Sequence, residues 1–230
     1  KDMALVVFIL GLVIGSFLNV LIIRLPEGKS ILGFSRCPKS QKKINWYDNI
    51  PVLSFLILKE RCRNCQNKIS WQYPIVELTA GFLFLLLFWI YGFELVSLIY
   101  ILFLASLLVA IAFIDFNHFV ILDNLLLAGF IVSLSYLLYS KFYILSSSCG
   151  IVSCSLKNSA FGLLFLGLVF LILFLISKGK WLGFGDVKMG AWLGFIFGLK
   201  NTVDIFYLTF FLGFIFAIIL LSLKKAGLKT

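Results

Sequence analysis

Two aspartates sit where a very apolar chain should not tolerate them cheaply. Asp115 lies in "AIAFIDFNHFVILDNLLLAG", with Asp123 eight residues on. Asp186 lies in "WLGFGDVKMG", after Gly183 and Gly185 and just before Lys188. An ionised carboxylate in hydrocarbon costs at least a few kcal/mol, so such groups usually face a cavity or a partner. Two carboxylates that meet share a proton, because like charges in close contact do not both ionise easily. One then acts as general base on a water and the other, protonated, donates to a carbonyl. That is aspartic-protease chemistry, without a metal or a nucleophilic side chain. Glycines beside Asp186 would let the backbone unwind or approach a substrate strand. Two other roles fit the same residues: ion or proton translocation, and plain helix capping. His118, the chain's single histidine, reads as a solvated interfacial residue.

The elements that must position these groups are membrane helices. The chain is 62% hydrophobic and 13% charged, with a mean hydropathy of +1.09. Soluble domains have about 45–50% apolar and about 25% charged residues. Apolar stretches near twenty residues recur, enough to cross a bilayer core of about 30 Å; the short alternating segments of a β-barrel do not appear. The expected architecture is an all-α polytopic membrane protein of about seven transmembrane helices. Their expected ranges are 4–22, 74–92, 95–114, 119–139, 158–177, 183–199 and 203–223. The domain reading is a first transmembrane helix over 1–23, a small cytoplasmic basic domain bearing cysteines over 24–73, and a transmembrane core over 74–230. The N-terminal stretch reads as a retained helix, since "LIIRLPEGKS" follows Val20 in place of a small-residue cleavage site. No internal repeat is evident, and the spans differ too much in length and polar content to suggest an inverted-repeat transporter.

The net charge of +10 is concentrated, with ten of the twenty Lys and Arg between Arg24 and Lys68. With the N-terminus outside, sixteen basic residues fall inside and four outside, the orientation the positive-inside rule favours. Asp115 then ends the third span and Asp186 begins the sixth on one face of the membrane. The basic segment is expected to meet anionic lipid headgroups at about 1 kcal/mol per residue. Nucleic acid is not expected, because no binding motif accompanies the charge. The outer loop 140–157 carries Cys149 and Cys154, which could pair on an oxidising side.

Several segments are similar to one known family. "GSFLNVLIIRLP" (15–26), "SRCPKS" (35–40), "NWYDNIPVLSFLILKERCRNC" (45–65), "ISWQYPIVELTAG" (69–81), "IDFNHFVILD" (114–123) and "GFGD" (183–186) occur in the order found in bacterial type IV prepilin leader peptidases. These are aspartyl proteases of the GxGD class. The resemblance covers roughly residues 11–200. It implies Asp115 and Asp186 as the catalytic pair, with Asp123, Gly183, Gly185 and Lys188 supporting them. It implies prepilin or pseudopilin substrates, whose short basic leader is cut after Gly at the cytoplasmic face of the bacterial inner membrane. Proteolysis needs no cofactor. Many members also methylate the new N-terminus with S-adenosylmethionine; this sequence has no glycine-rich dinucleotide fingerprint, so the cofactor rests on the resemblance alone.

In that family two C-x-x-C pairs can hold a structural zinc. Here Cys62 and Cys65 form one pair, while Cys37 stands with Ser40 in place of the fourth cysteine. The metal expectation is therefore Cys37, Cys62 and Cys65, three ligands where tetrahedral zinc normally takes four. Family members often continue with an eighth span and a "PFGP"-like motif; here "LKKAGLKT" stands at the end, and the last helix is expected to be missing. Acidic positions Glu27, Asp48, Glu60 and Glu77 are the expected approach for a basic leader. An ion- or proton-coupled transporter using the intramembrane aspartates is the alternative, and would place its carboxylates nearer the bilayer midplane than these span ends.

Overall fold

A computed structural model describes residues 2–37, 39–92, 95–143, 152 and 155–222. The described residues are all helical apart from turns and two isolated β-bridges. Helix α1 runs over Asp2–Arg24, and a short polar segment follows, containing one 3-10 turn (Trp46–Asn49) and α2 (Leu53–Ile57). Then come α3 (Gln72–Tyr91), α4 (Leu95–His118), α5 (Asp123–Tyr143), α6 (Leu156–Ser177) and α7 (Phe184–Ser222). Among the described residues five helices, α1 and α3 to α6, are long and apolar enough to cross a membrane. The two remaining expected spans lie in α7, which departs from helical geometry at Gly198 (φ 69°, ψ 170°). The protein is a multi-pass membrane protein; Cys149 and Cys154 lie outside the described residues.

Packing divides the chain into two compact units, with the boundary after Leu125. In the first, α1 lies against α3 through a seam of small residues. A Cβ on Gly11 would come 2.7 Å from the Gly81 Cα, and one on Gly15 would come 2.6 Å from the Glu77 Cα. Those separations leave room for hydrogen only. One turn further along, the buried Asn19 donates from Nδ2 to the Tyr73 carbonyl at 3.1 Å. The pairs Gly11–Gly81, Gly15–Glu77 and Asn19–Tyr73 therefore step antiparallel along both helices. Van der Waals contact and side-chain hydrogen bonds drive such association, because lipid is as apolar as the helices. Val7, Phe84, Phe88, Leu98 and Leu102 close the apolar part of this unit.

The second unit is built on the same device. Gly190, Gly194 and Gly198 recur every fourth residue on α7, and a Cβ on Gly194 would come 2.2 Å from the Gly162 carbonyl oxygen of α6. Helix α5 joins through Trp192, 2% exposed, whose Nε1 donates to Ser133 Oγ at 3.2 Å, and through ring contact of Phe130 with Phe195 at 4.8 Å.

Candidate functional site

Asp115 occupies the last turn of α4 and is exposed, as are its neighbours Phe116 to Val120. Its carbonyl accepts the Phe119 amide at 2.8 Å, which carries the helix end one residue past His118. Asn117 Nδ2 donates to Gln72 Oε1 at 3.2 Å, tying the end of α4 to the start of α3. His118 is exposed, in keeping with its interfacial reading. Asp123 is exposed in the first turn of α5, where an acidic side chain complements the helix dipole.

Asp186 sits in the first turn of α7 and is half-buried. Its Oδ2 accepts the Gly183 amide at 2.8 Å, while its own amide donates to the Gly183 carbonyl at 3.1 Å. That reciprocal pair is one half of a capping box: an acid at the third helical position reaches back to the residue before the helix. The capping role considered for Asp186 is thus present, and it fixes the carboxylate at the helix start while leaving lone pairs for other donors. Gly183 and Phe184 beside it are exposed, and the Lys188 ammonium lies over the Phe184 ring, 5.3 Å from its centre.

The acidic positions expected to receive a basic peptide are mostly engaged already. Asp48 takes a two-pronged contact from Arg63, with nitrogen–oxygen distances of 2.8 to 3.2 Å. Glu27 pairs with Lys29, which lowers its pKa. Glu77 is only 6% exposed, so it is not open to a peptide; its Oε2 accepts the Val52 amide at 2.8 Å. Val52 is the centre of a γ-turn with φ 60° and ψ −47°, closed by a hydrogen bond from the Leu53 amide to the Pro51 carbonyl. This turn is rare and strained, the more so for a β-branched residue. Sequence reading missed this role; Pro51 before a valine and a glutamate inside an apolar span were its only signals.

The three cysteines do come together. The sulfur atoms of Cys37, Cys62 and Cys65 all lie within 4.8 Å of one another, with Cys37 and Cys65 at 3.6 Å. Two matching turns bring them there. The sequence repeats R-C-x-x-(S/C)-Q-x-K at 36–43 and 61–68. Bridges Arg36–Lys43 and Arg61–Lys68 close the turns. The Cys37 amide donates to the Lys42 carbonyl at 3.0 Å and the Cys62 amide to the Asn67 carbonyl at 2.9 Å. The Gln41 and Gln66 amides return to the Cys37 and Cys62 carbonyls, both at 2.9 Å, and both glutamines have φ 56°. This short repeat in the polar segment corrects the expectation that the chain has no internal repeat: eight residues with four shared identities stand out only once both close the same turn.

Electrostatics follows the turn geometry. Burial pushes the Cys37 thiol up, but the Ser40 hydroxyl and the amides of Ser40 and Lys39 outweigh it, and the net direction is down. At Cys62 burial prevails over the amides of Cys65 and Asn64, so its thiol is raised. The Asn67 backbone and side-chain amides hold Cys65 down to about 6. Each turn thus aims two amides at its first cysteine, and donors so placed favour the thiolate form. The donor set, three convergent sulfurs on two rigid turns, fits a thiolate-preferring metal such as zinc.

Comparison with known proteins decides the family. A family model described as the bacterial peptidase A24 N-terminal domain matches residues 9–91, and one described as the type IV leader peptidase family matches residues 102–218. The chain belongs to the type IV leader peptidase family. It is 33% identical to the prepilin leader peptidase/N-methyltransferase of Myxococcus xanthus, an alignment covering 99% of this chain and 66% of that protein. It is 30% identical to the protein of that name from Neisseria gonorrhoeae, over 92% of this chain and 80% of the other. It is 37% identical to the Klebsiella pneumoniae protein of that name, over 81% and 83%. No solved structure matches. Membership of a leader peptidase family gives the transporter alternative no support.

Proposed function

We propose that this protein is a membrane aspartyl endopeptidase that removes the basic leader from type IV prepilins or pseudopilins, cutting after Gly at the cytoplasmic face of the bacterial inner membrane. The carrying observation is the GFGD turn, in which the Gly183 amide fixes the Asp186 carboxylate at the start of α7, within a chain of the leader peptidase family. Asp115 and Asp186 form the catalytic pair. One takes a proton from water as it attacks the carbonyl carbon of the scissile peptide. The other donates a proton to the carbonyl oxygen. As the tetrahedral adduct collapses, the C–N bond breaks and the leaving amine takes the proton that the base removed. Gly183 and Gly185 leave room for a substrate backbone, Asp123 steadies the start of α5, and Lys188 contributes positive charge near Asp186. The cytoplasmic placement is supported by the sixteen-to-four excess of basic residues.

Cys37, Cys62 and Cys65 would hold a zinc ion, which would cross-link the two turns and serve structure rather than hydrolysis. N-methylation of the new N-terminus is the second activity, taken from the name shared by the relatives. A groove of about 530 Å³ on α3 is lined by Ile75, Leu78, Thr79, Phe82, Leu83 and Leu86. One hydroxyl and no charge do not fit S-adenosylmethionine.

The test is cleavage of a prepilin by purified protein in liposomes, read by product mass, for the native chain, Asp115→Asn and Asp186→Asn. Cleavage after the leader Gly, lost in both variants, is expected. Cleavage that survives either substitution would refute the assigned pair. An added methyl mass on the product reports the second activity separately.

A further inference from the structure

The two matching turns differ at one functional position, and the difference is Ser40. It occupies in the first turn the place of Cys65 in the second, on the same hydrogen-bonded frame. Its Oγ is buried and lies beside the Cys37 thiol, with no other partner among the described residues. A hydroxyl has one proton and two lone pairs, so with its proton directed at the Cys37 sulfur Ser40 still has buried lone pairs, which mark a place where a further donor belongs. Serine is not among the usual ligands of zinc, and four-coordinate structural sites are closed whereas a site with three protein ligands keeps a place for water. We propose that three thiolates of Cys37, Cys62 and Cys65 hold a divalent metal here, and that a water hydrogen-bonded by Ser40 fills the fourth corner, making the metal exchangeable.

On binding, each thiol gives its proton to solvent and the metal replaces the three. The water in the fourth corner is neutral, and another thiol or imidazole ligand can displace it without breaking any metal–thiolate bond. That is the physical difference from a four-cysteine site, where exchange must begin by losing a protein ligand. Ser40 acts as a positioning residue, since it holds the water rather than the metal.

The inference rests on the zinc reading above and not on proteolysis, so its test uses no cleavage assay. The full chain in detergent, under reducing conditions, is stripped with a chelator and reloaded with zinc or cobalt. Metal content, cobalt–thiolate absorption and the rate of zinc transfer to a chromophoric chelator are read for the native protein, Ser40→Cys and Ser40→Ala. The native chain should bind one metal with the charge-transfer bands of cobalt thiolate. Removing a partner that orients a metal ligand usually changes affinity about 10–100-fold. Ser40→Ala removes such a partner and should still bind zinc but release it about tenfold faster or more, while Ser40→Cys closes the site with a fourth thiolate and should release zinc at least about tenfold more slowly than the native chain. Equal release from native protein and Ser40→Cys would overturn the open corner. Metal bound by Ser40→Cys but not by the native chain would show that three thiols do not suffice. Cys65→Ser, which removes a thiol on the same turn frame, should lose the cobalt bands; retention would place the metal elsewhere.

Discussion

Replacing Glu77 by alanine tests whether this buried carboxylate holds the polar segment to the membrane helices. The contact is specific: Oε2 accepts the Val52 amide at 2.8 Å, the Ser16 hydroxyl also bonds the carboxylate, and Glu77 is 6% exposed. Leaving a buried donor without its acceptor costs about 1–3 kcal/mol. The γ-turn at Val52 carries strain of about the same size, 1–3 kcal/mol for a residue in so rare a conformation. The loss should therefore appear as local opening of the turn and α2 rather than as global unfolding. Since about 1.4 kcal/mol is a factor of ten, the open population should rise about 10–100-fold. Trypsin reads it directly, because Lys59 and Arg61 lie just beyond α2. In nanodiscs, Glu77→Ala should be cut at these sites about 10–100-fold faster at limiting protease. Glu77→Gln keeps an oxygen acceptor and should stay within about threefold of the native rate. Val52→Gly, which relaxes the turn, should slow cutting in the Glu77→Ala background. Equal rates for Glu77→Ala and native protein, or for the Ala and Gln variants, would refute the latch.

Asp186 serves two roles that substitution separates. Asp186→Asn keeps an acceptor for the Gly183 amide and should leave the melting temperature nearly unchanged while abolishing cleavage, whereas Asp186→Ala should also lose about 1 kcal/mol of helix capping. Gly15→Ala puts a Cβ 2.6 Å from the Glu77 Cα, and should cost about 1–3 kcal/mol in detergent thermal unfolding by forcing α1 off α3. In the second unit Gly162→Ala puts a Cβ 2.2 Å from the Gly194 carbonyl oxygen, and should lower thermal stability at least as much. Trp192→Phe removes the hydrogen bond to Ser133 and should cost about 0.5–1.5 kcal/mol beyond the lost ring area.

The helical membrane class followed from composition and length alone, because crossing a bilayer demands about twenty apolar residues in a row and nothing else in a chain does. Family likewise followed from the sequence, since six motifs in order are carried by residue identity. Local chemistry was equally present at 36–43 and 61–68, where a shared R-C-x-x-(S/C)-Q-x-K pattern makes matching turns. What the sequence left open depended on contact between distant residues. Whether Glu77 faced a substrate or the protein was decided by Val52, whose amide meets it across 25 positions. Gly11, Gly15 and Gly162 read as three glycines among eighteen until helix contacts showed which had another helix's backbone against them. Three thiols scattered over 37–65 became one cluster only when their turns faced each other. Periodicity and motif encode what a segment is; its neighbour in space is set by packing, which no single segment carries.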